Sequence, residues 1–282
     1  MAPISKNDLL GAATRFFDGS PVNYLDAGAA LRPDLAGMRF FGAPLLGAAA
    51  AGDPLFEQMK DGSVVGPLFM SPGEWLPGAR TVLSFFCPFD GRIVAANRGG
   101  GAEIPPEWLH GRIEGQVALG AMLAAIQKLL SDSGFAAVVP MLDERYTSAH
   151  KTDPLSRGGG ELPDYTSSWS ERHVAYICGL GTFGLSRGLI TKLGTAGRFG
   201  SIITDMPVEA DARPYSRYDE YCTMCGECAA QCPVGAIDVK KGKDMAACAD
   251  FLQSTRQKHD PRYGCGKCNV GVPCAVGIPG AH

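Results

Sequence analysis

The segment Cys222-Thr-Met-Cys225-Gly-Glu-Cys228-Ala-Ala-Gln-Cys232-Pro233 places four thiols at intervals of two, two and three residues. A cubane [4Fe–4S] cluster takes four thiolates. A run of this spacing wraps its first three cysteines around one cluster and sends the fourth to a neighbouring one. A second set follows, with Cys248, then Cys265-Gly-Lys-Cys268, then Cys274. The ligands therefore close as two quartets. Cys222, Cys225 and Cys228 go with Cys274, and Cys232 goes with Cys248, Cys265 and Cys268. The return arm departs from the simplest pattern, because five residues separate Cys268 from Cys274 and Pro273 precedes the last cysteine. The spacing therefore leaves the partner of Cys274 the most open. Zinc is the alternative for paired C-x₂-C, but the x₂, x₂, x₃ run ending in Pro fits it poorly.

Residues 1–212 hold two of the ten cysteines, Cys87 and Cys178, and residues 213–282 hold eight. Both early cysteines lie in apolar surroundings and read as core residues. The N-terminus, MAPISKNDLLGAATRFF, lacks the basic-then-apolar design of a secretory signal. Apolar stretches are interrupted by Gly and Pro before the ~20 residues of a membrane span. A cytoplasmic protein with no membrane partner is expected, and in a reducing compartment dense cysteines mean metal or catalysis rather than disulfides. With 45% hydrophobic and 20% charged residues the chain is of ordinary globular composition. Its net charge is −3, and the densest basic run, Lys240-Lys241-Gly242-Lys243, is short. A nucleic-acid partner is not expected from such a balance.

The elements that must position these cysteines come in two blocks. Glu209 to Tyr218 is polar and contains Pro214, which reads as a linker between domains 1–212 and 213–282. Before it, Thr81 to Cys87 is a β-rich run closed by Pro88, and Phe135–Met141 and Ser201–Asp205 read as further strands. Ile113 to Leu130 repeats apolar residues at helical spacing and stops at Ser131-Asp-Ser-Gly134. This is an α/β layer domain. The connection Arg145–Ser168, containing Gly158–Gly160, is too long for a bland link and too polar for a core.

The stretch from Ser168-Trp-Ser-Glu-Arg-His173 through Gly179-Leu-Gly181-Thr-Phe-Gly184, then Gly188-Leu-Ile-Thr191 and Gly197-Arg-Phe-Gly200-Ser-Ile-Ile-Thr-Asp205, leads into the cysteine run. With Cys248 and the Tyr263-Gly-Cys265 return, it resembles the epoxyqueuosine reductase and reductive dehalogenase superfamily over roughly residues 135–278. That resemblance implies an α/β (α+β) nitroreductase-like domain followed by a ferredoxin-like module with two [4Fe–4S] clusters. It also implies a base-off cobalamin, an oxidoreductase activity, and reduced ferredoxin or flavodoxin as electron donor. Gly179, Gly181, Gly184 and Gly200 then become candidates for close backbone approach to a corrin, since they lack a Cβ. The alternative is that they only make tight turns.

Where the family carries an aspartate acid, an ungapped count from Gly181 falls on Tyr165, and dehalogenases of the superfamily use a tyrosine. Tyr165 is thus the candidate proton donor, with a hydroxyl protonated at neutral pH. His173 is a candidate pocket residue. His110 reads as structural or capping, and Glu171 and Arg172 as partners of neighbours on a helix surface. The expectation is a reductase of a small organic substrate. The rivals are a tRNA epoxyqueuosine reductase proper, an electron-transfer protein serving a partner, and a flavin enzyme on the same scaffold.

Overall fold

The computed structural model describes residues 4–150 and 165–280. Helix α1 (Lys6–Gly19) begins at a capping box: the Ser5 N–H donates to Asp8 Oδ2 at 2.8 Å, and the Asp8 N–H to Ser5 Oγ at 3.2 Å. It buries Leu9, Ala13 and Phe17. After it come β1 (Leu45–Ala50), two short helices α2 (Pro54–Gln58) and α3 (Pro72–Trp75), strand β2 (Thr81–Pro88) and helix α4 (Gly91–Ala96). The long helix α5 (Pro106–Asp132) starts on a proline, which needs no helical N–H partner there, and ends beside Gly134 at φ +87°.

Strands β3 (Ala137–Val138), β4 (Ser148–His150) and β5 (Tyr165–Ser167) precede helix α6 (Glu171–Ile177), the hairpin β6 (Gly181–Phe183) with β7 (Leu189–Thr191), and strand β8 (Gly197–Thr204). The remaining elements are α7 (Glu227–Ala230), the pair β9 (Ile237–Asp238) and β10 (Gly242–Lys243), and α8 (Met245–His259).

The principal sheet runs β1-β2-β8-β3, and each pairing is antiparallel. The mixed α/β expectation is therefore met in its α+β form. Strand β2 alternates between two covered faces. Leu83, Phe85 and Cys87 face the core built with α1 and α5, while Val82 faces a second core containing Phe56, Phe69, Trp75, Trp169 and Cys178. A central strand buried on both sides reads as a continuous apolar run, and so it was legible. Cys87 and Cys178 are fully buried, as core residues should be.

Three expectations need correction. The strand expected over Phe135–Met141 shrinks to Ala137–Val138, because Pro140 turns the chain into a 3₁₀ turn at Pro140–Leu142. The expected linker is tied down: Asp211 exchanges backbone contacts with Ala48, with its N–H donating to Ala48 O at 2.9 Å and its Oδ2 accepting from Ala48 N at 2.7 Å. Arg213 pairs with Asp53 at 2.6 Å, and Tyr215 is buried. Finally, α5 is long and apolar enough by length and composition to cross a membrane. Its glycines do not interrupt it, and Leu119, Met122, Leu123 and Ile126 belong to the core against the sheet.

Candidate iron–sulfur site

The hairpin β6–β7 and the turn that follows it grip the cysteine-rich segment. Phe183 donates its N–H to Tyr218 O at 2.6 Å, and Tyr221 donates to Thr182 Oγ1 at 2.9 Å. On the return arm, Thr195 N–H donates to Cys274 O at 3.0 Å and Ala196 N–H to Ala275 O at 3.1 Å. Cys222 and Cys274, far apart in sequence, are thereby brought to one place. They line a cavity with Cys225 and Cys228, opposite Gly184 and Leu185. The Leu185 N–H points at Cys222 Sγ, 3.4 Å away.

The second quartet gathers beside it. The thiols that act electrostatically on Cys265 are Cys268, Cys248 and Cys232, while those acting on Cys274 are Cys228, Cys222 and Cys225. Cys228 also feels Cys268, so the two groups adjoin. The Ala236 N–H donates to Cys232 Sγ at 3.2 Å. Burial first, then the neighbouring sulfurs, pushes the Cys274 thiol up to about 12 and the Cys228 and Cys265 thiols up to about 11. Four such sulfurs lose their protons together only where a cationic metal centre replaces them. Among the described residues no three His, Cys, Asp or Glu side chains converge tightly enough for a single metal ion. The residues fit a cluster. N–H donors at the sulfurs, as at Cys222 and Cys232, are one of the levers that set a cluster's potential.

The arm carrying Cys265 and Cys268 lies against α5. At Gly266 (φ +65°) a Cβ would sit 1.7 Å from Trp108 Cζ2, so no other residue lets the arm approach this closely. Asn97 Nδ2 donates to Cys265 O at 2.8 Å. His110, wholly buried, accepts from the Leu31 N–H through Nε2 at 3.1 Å, and its Nδ1 lies 3.3 Å from Glu114 Oε2. It is a structural histidine.

The other expected site residues are distributed differently. A Cβ on Gly179 would meet Ala212 O at 3.0 Å, one on Gly181 would meet Ile190 O at 2.0 Å, and one on Gly200 would meet Leu123 Cδ1 at 2.6 Å. Gly184 faces Ile190 Cδ1 at 3.3 Å and lines the cysteine cavity. At Gly179, Gly181 and Gly200 the missing Cβ makes room for the chain's own atoms. Tyr165 opens β5, its backbone paired with His150, but its side chain lies outside the described residues. So do residues 151–164, and with them Gly158–Gly160.

His173 is mostly enclosed. Its Nδ1 is 2.8 Å from Ser170 Oγ, and its ring centroid is 4.8 Å from that of Phe183. Burial, with Arg172 and Arg187 nearby, pulls it down to about 4, so it is a neutral imidazole at pH 7.

Glu171 is not the surface residue expected. Trp169 Nε1 donates to Ser201 Oγ at 2.7 Å, and Ser201 Oγ donates to Glu171 Oε2 at 2.7 Å. Its Oε1 is buried with no partner among the described residues, and burial pushes the carboxyl up to about 7. The half-buried Arg112 and Arg198 were also missed as a pair. They come from α5 and β8, and no periodicity in either segment signals that they meet.

Comparison with known proteins agrees with this site where it is most specific. Residues 216–238 match the 4Fe–4S binding domain family. No curated protein matches the chain by sequence. Among solved structures, the fold is similar to epoxyqueuosine reductase from Streptococcus thermophilus, with 18% identity, a TM-score of 0.47, and coverage of 84% of this chain and 64% of that one. An epoxyqueuosine reductase solved with an epoxyqueuosine-modified tRNA stem loop gives 19% identity and a TM-score of 0.48, over 84% of this chain and 63% of that one. A catabolic reductive dehalogenase gives 14% identity and a TM-score of 0.48, over 97% of this chain and 37% of that one. The chain thus spans less than two thirds of the length of these proteins.

Proposed function

We propose that this protein is an iron–sulfur oxidoreductase in which residues 213–282 hold two [4Fe–4S] clusters and residues 1–212 form a nitroreductase-like substrate domain. The observation that carries the reading is the convergence of Cys222, Cys225, Cys228 and Cys274 on one cavity, with Cys232, Cys248, Cys265 and Cys268 grouped beside it. When bound, such clusters supply one-electron transfer at potentials the surrounding protein sets. The chain's own contribution is to hold the two centres adjacent and to seat one of them against α5, through Gly266 and Trp108.

The substrate in this reading is a small organic molecule, reduced with electrons from a ferredoxin or flavodoxin. Cobalamin is the acceptor proposed from the order of motifs between Ser168 and Asp205. Gly179, Gly181, Gly184 and Gly200 are the positions of that motif proposed to approach it, although the absent Cβ of Gly179, Gly181 and Gly200 also makes room for the chain's own atoms. Tyr165 remains the proposed proton donor. Glu171, held by Ser201 with its carboxyl titrating near neutrality, is the buried acid of the same region.

Anaerobic reconstitution tests the central claim. About eight irons per chain are expected, from two clusters of four, and Cys232→Ala should remove the cluster that also uses Cys248. Zinc binding without sulfide would overturn the reading. Titration of the loaded protein with cob(II)alamin should give a base-off EPR signal, and an unchanged cobalt spectrum would leave a cluster protein with a different acceptor.

A further inference from the structure

Several arginines in this fold are neutralised by a carboxylate. Arg262 pairs with Glu114, Arg32 with Glu107, Arg92 with Asp34, Arg145 with Asp143 and Arg213 with Asp53. Arg112 and Arg198 lie side by side without such a pairing among the described residues. Arg198 projects from β8 onto α5, where its Nη2 donates to Gln116 Oε1 and to the Arg112 carbonyl at 3.4 Å. Neither Arg112 nor Arg198 has a carboxylate partner among the described residues. Gln116 stands one turn after Arg112 on α5, where a glutamate would have neutralised the pair, and it carries no charge.

The arrangement is also fixed in place. Arg112 Cζ lies 4.4 Å from the centroid of the Tyr263 ring, and Arg256 lies over the same ring at 4.1 Å. Arg112 Nε is buried and finds no acceptor among the described residues. A buried donor left idle is costly, so its acceptor is the missing part of the arrangement.

We propose that Arg112 and Arg198 form a binding site for an oxyanion, the carboxylate or phosphate group of a substrate. The inference builds on the reading of residues 1–212 as a substrate domain, and it names the substrate class as anionic. Two guanidiniums offer forked donors to the two oxygens of a carboxylate or to a phosphate edge, and remain charged at neutral pH. The electrostatics point the same way. Burial first, then Arg112 and Arg172, draws the Arg198 guanidinium down to about 9, which leaves it charged at neutral pH. The site lies beside the second cysteine quartet, since Arg112 Cδ packs against Gly264, next to Cys265. An anionic substrate held there would sit close to a redox centre.

That proximity defines the competing source of negative charge, which is the reduced or oxidised cluster itself. The test is therefore made on cluster-loaded protein under anaerobic conditions, by isothermal titration first with inorganic phosphate and then with benzoate. Saturable binding of one anion is expected, weakened tenfold or more in Arg198→Gln and in Arg112→Gln and partly retained in Arg198→Lys. Iron content and melting temperature confirm that each variant is folded. Displacement of phosphate by benzoate assigns a carboxylate-accepting site, and binding of phosphate alone assigns a phosphate site. Absence of saturable binding, or binding indifferent to both glutamine variants, overturns the proposal. The assay reads binding without turnover, so the reductase reading fails or stands separately on its iron and activity measurements.

Discussion

Arg262, in the cysteine-rich segment, donates to the same oxygen of Glu114 on α5 through Nε at 2.8 Å and Nη2 at 2.5 Å. Its Nη2 also reaches Ala29 O at 3.0 Å, so one guanidinium ties the return arm to two parts of the first 212 residues. Burial works against the Glu114 carboxylate, but hydrogen bonds from His110 and Arg262 outweigh it and hold its pKa below the ordinary range. Arg262→Ala should lower stability by about 1–3 kcal/mol, the usual cost of stranding a half-buried charge. Because the folded pKa is depressed, the contribution is present above the unfolded value and is lost as pH falls through the folded one. The gap between wild type and variant in urea denaturation should therefore close in acid. An equal gap at all pH values would show that the pair does not carry it.

Gly266 is the second contact of that arm. Gly266→Ala pushes a methyl group into Trp108, and the backbone at φ +65° disfavours any side chain. The cluster held by Cys265 and Cys268 should be lost first. Iron content should fall from about eight to about four per chain, with the quartet of Cys222 retained. Full iron content in this variant would mean that the arm does not depend on seating against α5.

Glu171 has the opposite pH signature to Glu114. Its carboxyl is raised to about 7 by burial, so the folded protein binds a proton that the unfolded chain releases near pH 4.5. Stability should decline as pH rises from about 4.5 through 7, since the native state holds more protons there. Glu171→Gln, which keeps the Ser201 contact and cannot ionise, should flatten that slope. At pH 8 it should gain stability of order 1–3 kcal/mol. A slope unchanged by the substitution would place the titrating group elsewhere.

Gly200 separates the two readings of the glycine-rich stretch. If its missing Cβ serves packing against Leu123, Gly200→Ala should cost ~1–3 kcal/mol through overpacking. Cobalamin affinity, where measurable, should stay unchanged. Normal stability with lost cobalamin binding would restore the cofactor role of this position.

The parts of this protein that were legible in the sequence are those whose signal is local. Spacing marked the cysteine run as cluster ligands, with the partner of Cys274 left the most open, and the continuous apolar run of Thr81–Cys87 marked a strand covered on both faces. The period of Ile113–Leu130 marked a helix. The cysteine run, the strand and the helix each depend on residues a few positions apart, where chain geometry is nearly fixed. What depended on convergence of distant segments was not legible. Gly181 and Gly200 look like ligand-contacting glycines in a linear motif, and only the packing of Ile190 and Leu123 against them shows what their missing Cβ makes room for. Glu171 reads as a surface helix residue until Ser201 of β8 arrives beneath it, 30 residues on. Arg112 and Arg198 stand 86 residues apart, and only the docking of β8 on α5 makes them neighbours. Short-range periodicity specifies elements and ligand spacing, whereas burial and the meeting of charges are properties of the folded interior, decided when the sheet closes on its helices.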